Sequence, residues 1–409
     1  MRFESFIASR IIRSKPYKNT ISAPIIKISI LSITMGLVMM IVSISSGVGL
    51  QKTIQNKISS FFGHITISNF QNNLSQSSLK PISINQEFYN DNKNEEILHI
   101  QTVAYKSAVI TTESTFEGVV FKGINKDFNS LEFANYLIDG ELPSFEDKVN
   151  NEVIISEYLS KRLSIKIGER FRTSFFKAGS SIPNERNFKV VGIFKSGLIE
   201  FDQIYFLGDI RHIQLMNNWK LNQIGSFEIF IKNFDEVSNV SDNLYKNTPS
   251  DLDVISVKDK FTDIFNWIAL FDMNILVIII IMILVGGINM ITALLVTVLE
   301  KTQLIGILKV LGSSQNSIRY IFLSNGFYLI SLGLFFGNLI GLGLILFQKL
   351  TGFIKLNPET YYVSEVPLDL NLITIILLNI GVMFFCLLML IVPSYIIGRI
   401  SPTESLKIN

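Results

Sequence analysis

Four windows without a charged residue dominate the hydropathy pattern of the chain. They are residues 28–51, 273–299, 320–348 and 370–398. Because about 20 apolar residues span the roughly 30 Å hydrocarbon core of a bilayer, each window is long enough for one transmembrane helix. The pattern therefore predicts a membrane α-helical protein with four transmembrane helices.

The long segment between the first two windows has a different pattern. Residues 52–272 are polar and rich in turn residues, and they contain short runs in which apolar and polar residues alternate, as in half-buried strands. Residues 52–124 and 225–265 each combine strands with a helical stretch, whereas residues 125–224 are mostly strand-like. We therefore expect a large α+β domain inserted between helices 1 and 2, with a β-rich insertion at its centre.

Composition agrees with a membrane assignment. Hydrophobic residues make up 48% of the 409 residues, and the mean hydropathy is +0.39, which is more than a soluble domain needs to fill its core. The net charge is only +2 and gives no indication of a nucleic-acid partner. We expect contact with membrane lipid and none with nucleic acid.

Basic residues beside the windows predict the orientation of the chain. Residues 1–27 contain six lysines and arginines, and residues 300–319 contain three, whereas residues 349–369 contain two. Cytoplasmic segments carry the excess of Lys and Arg, so we expect both termini and residues 300–319 in the cytoplasm. The domain and the loop of residues 349–369 then lie outside the cytoplasm, and the tail of residues 399–409 lies inside it.

The N-terminal arm, residues 1–27, has an amphipathic pattern. Phe3, Phe6, Ile7 and Ile11 recur at helical spacing, and the arginines lie on other faces. Such a helix is suited to the headgroup plane of a membrane. We therefore expect a cytoplasmic amphipathic arm that anchors the first transmembrane helix.

No segment contains a convincing catalytic or metal-binding motif. His64, His99 and His212 are far apart and lack the spacing of metal ligands, and the single cysteine, Cys386, lies in the fourth window. Gly118 and Gly123 have the spacing of a phosphate-binding loop, but the second glycine is not followed by the Lys and the Ser or Thr that such a loop requires. We expect a non-catalytic chain that binds no metal and no cofactor.

Residues 300–319 form a short charged segment between the second and third windows. Apolar residues recur on one face of a predicted helix that continues the second window, Gly312 is placed to end this helix, and Ser313 or Ser314 to cap the next one. The apolar stripe consists of Leu304, Ile307, Leu308 and Leu311. It predicts contact with a groove on a partner protein, or with the membrane surface.

The third window contains a stripe of small residues. Gly333, Gly337 and Gly341 recur every four residues, which brings them to one face of the helix. Small residues allow close approach of transmembrane helices. We predict helix packing there, within one subunit or in a dimer.

The segment EKTQLIGILKVLGSSQNSIRYIFLSNG resembles the coupling segment of FtsX/MacB-type ABC transporter permeases. Further motifs resemble the lipoprotein-releasing LolC/LolE branch of that superfamily. In chain order they are FIASRIIRSK, GLQKTIQNKISSFFGHITI, FKVVGIFKSGLIEFDQIYF, YYVSEVPLDL and PSYIIGRISPTESLK. The resemblance covers almost the whole chain.

This resemblance implies a permease in the inner membrane of a diderm bacterium, with a MacB-like periplasmic domain. Its expected partners are two copies of a LolD-like ATPase that uses ATP and Mg²⁺, a second permease subunit that is either identical or a LolC/LolE sister, and a LolA-like periplasmic carrier. The expected activity is extraction of lipoproteins from the outer leaflet. The residues implied in coupling to the ATPase are Glu300, Lys301, Leu304, Ile307, Leu308, Leu311 and Gly312.

The resemblance also implies a hairpin that binds the carrier and a cavity for acyl chains. The hairpin residues are Phe175, Phe176, Ile182, Pro183 and Arg186, although an ordinary exposed turn would have a similar composition. The cavity residues are Met35, Met39 and Val42, which share one face of the first helix. Flexible thioethers suit variable acyl chains, but ordinary helix or lipid contact is the alternative.

Three other functions remain open at this stage. One is an FtsX-like permease that transmits movement to a cell-wall hydrolase, and another is a MacB-like exporter of small compounds or peptides. A membrane-anchored scaffold without transport activity is the third. All three keep the four-helix arrangement, so the motifs and not the hydropathy favour lipoprotein release.

Overall fold

The computed structural model describes residues 22–399, except residues 74, 87–94, 114, 146–147 and 177–181. The chain forms two compact units. The domain unit comprises residues 52–266 and 356–364, and the helix unit comprises the described parts of residues 22–51, 267–355 and 365–399. Most of the predicted N-terminal arm, and all of the tail beyond residue 399, lie outside the described residues.

Helices account for the helix unit and for the short connections of the domain unit. The α-helices are α1 (Ser22–Phe62), α2 (Ser130–Phe133), α3 (Glu157–Leu163), α4 (Ile199–Ile204), α5 (Arg211–Asn217), α6 (Val237–Asn247), α7 (Val257–Lys260), α8 (Thr262–Glu300), α9 (Thr302–Val310), α10 (Gln315–Thr351), α11 (Pro358–Tyr361) and α12 (Leu372–Arg399).

Strands occur in the domain unit. They are β1 (Ile65–Asn69), β2 (Ile82–Ser83), β3 (Ile97–Thr111), β4 (Phe116–Ile124), β5 (Leu137–Gly140), β6 (Glu152–Ser156), β7 (Arg170–Phe175), β8 (Asn184–Phe194), β9 (Tyr205–Asp209), β10 (Gln223–Ile224), β11 (Ser226–Ile231) and β12 (Leu252–Ser256).

Four helices are long and apolar enough to cross a membrane. They are α1, α8, α10 and α12, and each contains nearly all of one uncharged window. The prediction of four apolar helices is therefore confirmed for the part of the chain that the structure describes. The helices α1, α8 and α10 continue beyond their windows, because residues such as Lys52 and Asp263 are polar but still good or tolerated helix formers.

The helix unit packs through its glycines. A Cβ placed on Gly333, Gly337 or Gly341 of α10 would meet Ile33, Leu37 or Ile41 of α1, respectively. The glycine stripe of α10 therefore lies against α1 of the same chain, and its lack of side chains permits the close approach.

Polar side chains connect α10 to α12 within the helix unit. The Asn338 amide donates to Asn379 Oδ1 at 2.7 Å, and the Asn379 amide donates back to Asn338 Oδ1 at 3.0 Å. Each amide also donates to a carbonyl of its own helix. Because every amide proton named here has an acceptor, the half-buried pair fixes the register of the two helices at low cost.

The strands of the domain unit combine an open sheet with a closed barrel. The open part has the order β12, β1, β11, β3, and all of its pairs are antiparallel. The barrel follows the ring β3, β4, β9, β6, β8, β7 and back to β3. Closure leaves these six strands without free edges.

The predicted division of the domain into a lobe and a separate insertion differs from the structure. The strands of residues 125–224 pair with β3 and β4, which belong to the predicted lobe. The reason is the length of β3, whose 15 residues pair with β11 in their first half and with β7 in their last four positions. One long strand thus serves both parts.

Aromatic side chains fill the barrel. Phe121, Phe175, Phe188 and Phe206 are fully buried, and the ring centroids of Phe121 and Phe206 are 4.9 Å apart. Each buried aromatic ring removes a large apolar area from water, and tilted or edge-on pairs add to this stabilisation. The packed rings hold the β7–β8 hairpin from inside.

Candidate functional site

The coupling segment is a short helix held between two long ones. Hydrogen bonds of helical spacing continue from α8 through Lys301 into α9, since Lys301 N–H donates to Thr297 O and Ile305 N–H to Lys301 O, both at 3.0 Å. Gly312, with φ +87°, then ends α9. Its N–H donates to Lys309 O, and that of Ser313 to Leu308 O, which is the paired pattern of a glycine-terminated helix.

The next helix begins immediately after this stop. The Ser314 hydroxyl accepts from the Ser317 N–H at 3.2 Å and caps α10. The predicted helix end at Gly312 and the cap at Ser314 are therefore confirmed. Residues 302–314 form a stiff turn whose geometry is set by local hydrogen bonds.

The apolar residues of the coupling segment divide between two environments. Leu308 is 5% exposed and packs in the core of the helix unit with Ile305 and the start of α10. Leu311 is 76% exposed, and Ile307 and Val310 are also exposed. The face formed by Ile307, Val310 and Leu311 is called the coupling face below.

Leu308 is therefore not placed as the sequence pattern predicted. Its side chain is buried within its own chain and offers no surface to a partner, and Leu304 is only partly exposed and packs on the same core. The spacing of leucines could not separate the inner from the outer side of α9. Val310 was not part of the predicted apolar stripe, but its side chain lies on the outer side of α9. The burial of successive residues in the structure identifies it, and the sequence pattern does not.

Charged residues flank the coupling face. Glu300 and Lys301 form an ion pair with a 3.3 Å separation, and both side chains are about one quarter exposed. The Arg319 guanidinium lies 4.2 Å from the centre of the Tyr395 ring of α12. These contacts orient the two ends of the segment and leave its apolar face uncovered.

The hairpin of the domain unit comprises β7 and β8. Phe175 is 1% exposed and lies inside the barrel, so it supports the hairpin and is unavailable to a carrier, contrary to the prediction. Successive strand residues point to opposite faces, which explains why its neighbour Phe176 is exposed. Ile182 is 81% exposed.

The remaining hairpin residues lie just before β8 and at its start, close to the tip of the hairpin. Pro183 and Arg186 are partly exposed, and the Arg186 guanidinium donates to Asn184 Oδ1 at 3.0 Å and to Glu185 O at 2.9 Å. The tip of the hairpin, residues 177–181, lies outside the described residues. Phe176 and Ile182 thus remain the apolar residues beside the tip that a partner can contact.

The predicted cavity residues lie on α1 in the helix unit. Met35 and Met39 are exposed on the surface of this chain, and Val42 is partly exposed. The opposite side of α1, with Leu37 and Ile41, is buried against α10. About half of the surface of Met35 and of Met39 is therefore open to a lipid or an acyl chain.

The histidines occupy separate structural positions. The His99 Nε2 contacts Asp127 O, and the His212 Nε2 contacts Asn150 O. Burial lowers the pKa of His64 to about 4, and its Nδ1 accepts from the Ile231 N–H at 3.2 Å. Within the described residues, no three His, Cys, Asp or Glu side chains come together as metal ligands.

Comparison with known proteins adds to this geometry. Residues 28–267, more than half of the chain, match the family described as MacB-like periplasmic core domain. The chain belongs to this family. Residues 276–402 match a second family, described as FtsX-like permease C-terminal. The first match covers most of α1 and residues 52–266 of the domain, and the second covers most of α8 together with the coupling segment, α10 and α12.

Relatives match over nearly the full length. The lipoprotein-releasing system transmembrane protein LolC of Buchnera aphidicola subsp. Schizaphis graminum is 25% identical over 96% of both chains. LolC of Neisseria meningitidis serogroup B is 23% identical over 99% of both chains, and LolE of Haemophilus influenzae is 21% identical over 98% of both. The resemblance to the LolC/LolE branch, inferred from the motifs, is confirmed.

Among solved structures, the periplasmic region of MacB from Actinobacillus actinomycetemcomitans is similar to part of this chain. It is 17% identical, it covers 49% of this chain and 92% of its own, and the TM-score is 0.32.

Proposed function

We propose that this chain is the permease subunit of an ABC transporter that extracts lipoproteins from the outer leaflet of the inner membrane and passes them to a periplasmic carrier. The observation that carries the proposal is the match to LolC over 96% of both chains, which spans the helices, the coupling segment and the domain together. The chain itself is non-catalytic. Hydrolysis of ATP belongs to a separate subunit.

The coupling face is the contact that we assign to this ATPase subunit. Ile307, Val310 and Leu311 are exposed on a helix whose ends are fixed by Lys301 and Gly312. A small apolar face on a stiff helix fits a groove between helices of a partner, and burying it in such a groove removes it from water. Two copies of a LolD-like ATPase would bind ATP and Mg²⁺, and this chain would bind no cofactor.

The need for ATP follows from the chemistry of the cargo. Each acyl CH₂ that leaves the bilayer costs about 0.8 kcal/mol, so an anchor with several acyl chains does not leave spontaneously. A second permease subunit, identical or a LolC/LolE sister, would complete a cavity lined by Met35, Met39 and Val42. The exposed thioethers of this face adapt to acyl chains of different shape.

The orientation of the proposal places both termini and the coupling segment in the cytoplasm and the domain in the periplasm. There, Phe176 and Ile182 would contact a LolA-like carrier beside the hairpin tip. The distribution of Lys and Arg supports this orientation.

Reconstitution tests the proposed function. The chain would be placed in proteoliposomes with its second permease subunit and the ATPase, together with a fluorescent acylated lipoprotein, and release to soluble carrier would be measured with ATP. We expect release that requires ATP and stops with an ATPase variant that binds but does not hydrolyse it.

The same experiment separates the alternatives. Hydrolysis of ATP without release of lipoprotein would contradict the proposal and favour an FtsX-like or MacB-like role. Depletion in cells provides a second test, because loss of an extraction permease causes lipoproteins of the outer membrane to accumulate in the inner membrane. Normal arrival of lipoproteins at the outer membrane after depletion would overturn the proposal.

A further inference from the structure

A buried charged cluster surrounds the C-terminal end of α1. Lys122 of β4 and Glu228 of β11 form an ion pair of 2.9 Å, and each side chain is 1% exposed. The other oxygen of Glu228 accepts from the Tyr105 hydroxyl of β3. Gln101, also of β3, donates to Glu228 Oε2 at 2.7 Å. These four residues are called the α1-end cluster.

The α1-end cluster is bonded directly to the helix. The Lys122 ammonium donates to the backbone carbonyl of Phe61, in the last turn of α1. Carbonyls of the last turn have no partner inside a helix, and the negative end of the helix dipole attracts a cation. The same ammonium lies 4.9 Å from the centre of the Phe61 ring and 5.6 Å from that of Phe62.

The chain passes from α1 into the sheet at this point. Only Gly63 and His64 separate α1 from β1, and Gly63, with φ +74°, makes the turn. The register pairs Ile65, at the start of β1, with Ser256, at the end of β12. The end of α1 therefore has a covalent connection to the open sheet and, through Lys122, a polar connection to β4.

Stability alone does not account for a buried ion pair. Removing two charges from water is costly for each ion, and well-packed apolar residues of similar volume are often as stabilising or more so. Burial correspondingly lowers the pKa of Lys122, with Glu228 opposing that change. What the pair adds over an apolar pair is direction, because its hydrogen bonds are made in one geometry only.

The strands that hold the α1-end cluster continue into the barrel. Tyr105 and Gln101 lie on β3 and Lys122 lies on β4, and these two strands form one side of the barrel. The last part of β3 pairs with β7, which pairs with β8. The end of α1 is thus connected to the hairpin through β4 and β3.

From this arrangement we infer that the Lys122–Glu228 pair is a positioning element that transmits movement of α1 to the barrel and the hairpin. The inference rests on the proposed function. Lys122 touches neither cargo nor ATP, and it acts by fixing the Phe61 carbonyl to β4. Loss of the pair would remove this bond and leave the end of α1 held by its junction with β1 and by contacts such as that of Ser60 with Glu132 and of the Phe62 ring with Phe201.

A double replacement separates this role from a structural one. Lys122→Met or Glu228→Leu alone leaves an unpaired buried charge or an unfilled hydrogen bond, so each single variant is expected to unfold at lower temperature in the full chain. Lys122→Met with Glu228→Leu removes both charges of the pair and is expected to recover part of that loss, because only the neutral donors of Gln101 and Tyr105 then lack their acceptor. The double variant still lacks the bond to Phe61.

Release of lipoprotein for each ATP hydrolysed is the first measurement, in the reconstituted complex. We expect the double variant to hydrolyse ATP at a rate near that of the unmodified complex and to release roughly tenfold less lipoprotein per ATP. Leu244→Ala is the control, because Leu244 lies on the buried face of α6. This variant should lower thermal stability and leave the amount of lipoprotein released per ATP unchanged. A double variant with the unmodified ratio would overturn the inference.

A second measurement does not need cargo. A fluorescent label at Asn187→Cys, on an exposed position of β8, reports nucleotide-dependent change in the barrel when the ATPase is present. We expect a change in the otherwise unmodified complex and a much smaller one in the double variant. An equal fluorescence change in both complexes, or no change in either, would contradict the inference. A fluorescence change in the otherwise unmodified complex that is not accompanied by release of lipoprotein would contradict only the proposed function.

Discussion

His64 lies where α1 passes into β1, and its ring is neutral in the folded chain. Its Nδ1 accepts from the Ile231 N–H, and its own N–H donates to Ile229 O through the backbone at 2.8 Å. Protonation of Nδ1 removes the acceptor that the Ile231 N–H requires. This residue therefore makes the domain sensitive to acid.

Acidification should destabilise the domain through His64. Its pKa is about 4 when folded and 6.5 when unfolded, so the unfolded chain binds more protons between these values. The free energy of unfolding is therefore highest above pH 6.5 and falls as the pH approaches 4. We expect a loss of roughly 1–2 kcal/mol between pH 7 and pH 5, measured by thermal unfolding of the full chain in detergent.

His64→Gln is the matched variant for this prediction. Its side-chain oxygen can accept from the Ile231 N–H, and it does not titrate in this range. The pH-dependent loss should shrink in His64→Gln, and the part that remains belongs to other groups such as His212, whose pKa burial also lowers. An unchanged pH dependence would exclude His64 as a source.

Single residues also mark where interpretation of the sequence reached its limit. The identities of Phe175 and Leu308 were compatible with either surface or core, and the structure places both in the core. Helical or strand spacing gives the period of a pattern but not which side faces the protein when several neighbours are apolar. The buried pair Lys122–Glu228 was missed for a related reason, since its residues are 106 positions apart.

At the scale of the element, α9 allows its inner and outer faces to be tested separately. Val310→Asp with Leu311→Asp places charges on the exposed coupling face, and we expect affinity for the ATPase to fall at least about tenfold with little change in thermal stability. Leu308→Ala acts on the inner face and should instead cost about 2–5 kcal/mol of stability, because it opens a cavity in the helix unit. Binding to purified ATPase and thermal unfolding of the full chain measure the two effects.

Asn316→Asp is the control for charge in this experiment. Asn316 is exposed in the first turn of α10, so the variant adds a negative charge to the same segment without removing an apolar contact. It should bind the ATPase nearly as well as the unmodified chain. Equal loss in Asn316→Asp would assign the effect to charge and contradict the role of the coupling face.

The glycines of α10 provide a second test at this scale. A Cβ at Gly337 would lie 2.8 Å from Leu37 Cδ2 and 2.9 Å from Leu37 Cβ, whereas a Cβ at Gly343 would meet nothing within 4 Å. Gly337→Ala should therefore destabilise the helix unit by about 1–3 kcal/mol through overpacking. Gly343→Ala should be neutral or slightly stabilising, since alanine favours helix over glycine. Thermal unfolding in detergent distinguishes them, and equal behaviour would contradict the close packing of α1 and α10.

Elements differ in how far the sequence predicted them. The four apolar helices, the stop at Gly312 and the cap at Ser314 depend on local composition and local hydrogen bonds, and all were predicted. Closure of the barrel was not, because it depends on pairing between β3 and β7, which are far apart in the chain. Nothing in a single strand specifies such a distant partner.

At the scale of the whole molecule, the proposed transport cycle has two ends that can be separated. The coupling face lies on α9, and the apolar residues beside the hairpin tip lie on β7 and β8 or next to them. A substitution in the coupling face should alter binding of the ATPase subunit and hydrolysis of ATP. A change at the second end should leave both intact and act only on transfer to the carrier.

Phe176→Asp with Ile182→Asp tests the second end. Both side chains are exposed, so the domain should remain folded, whereas a partner that covers them would have to bury two charges. We expect binding of carrier to weaken by roughly 10- to 100-fold, and hydrolysis of ATP by the reconstituted complex to be unchanged. Binding would be measured with purified LolA-like carrier, and transfer with fluorescent lipoprotein.

Leu131→Asp is the control, because Leu131 of α2 is another exposed apolar side chain of the domain. It adds charge at a position to which no partner is assigned, and it should bind carrier normally. If the hairpin variant bound carrier as well as Leu131→Asp and the unmodified chain, the carrier would have to use another surface of the domain. A loss of ATP hydrolysis in the hairpin variant would instead mean that the two ends are not separable, because the barrel would then act back on the coupling face through α1.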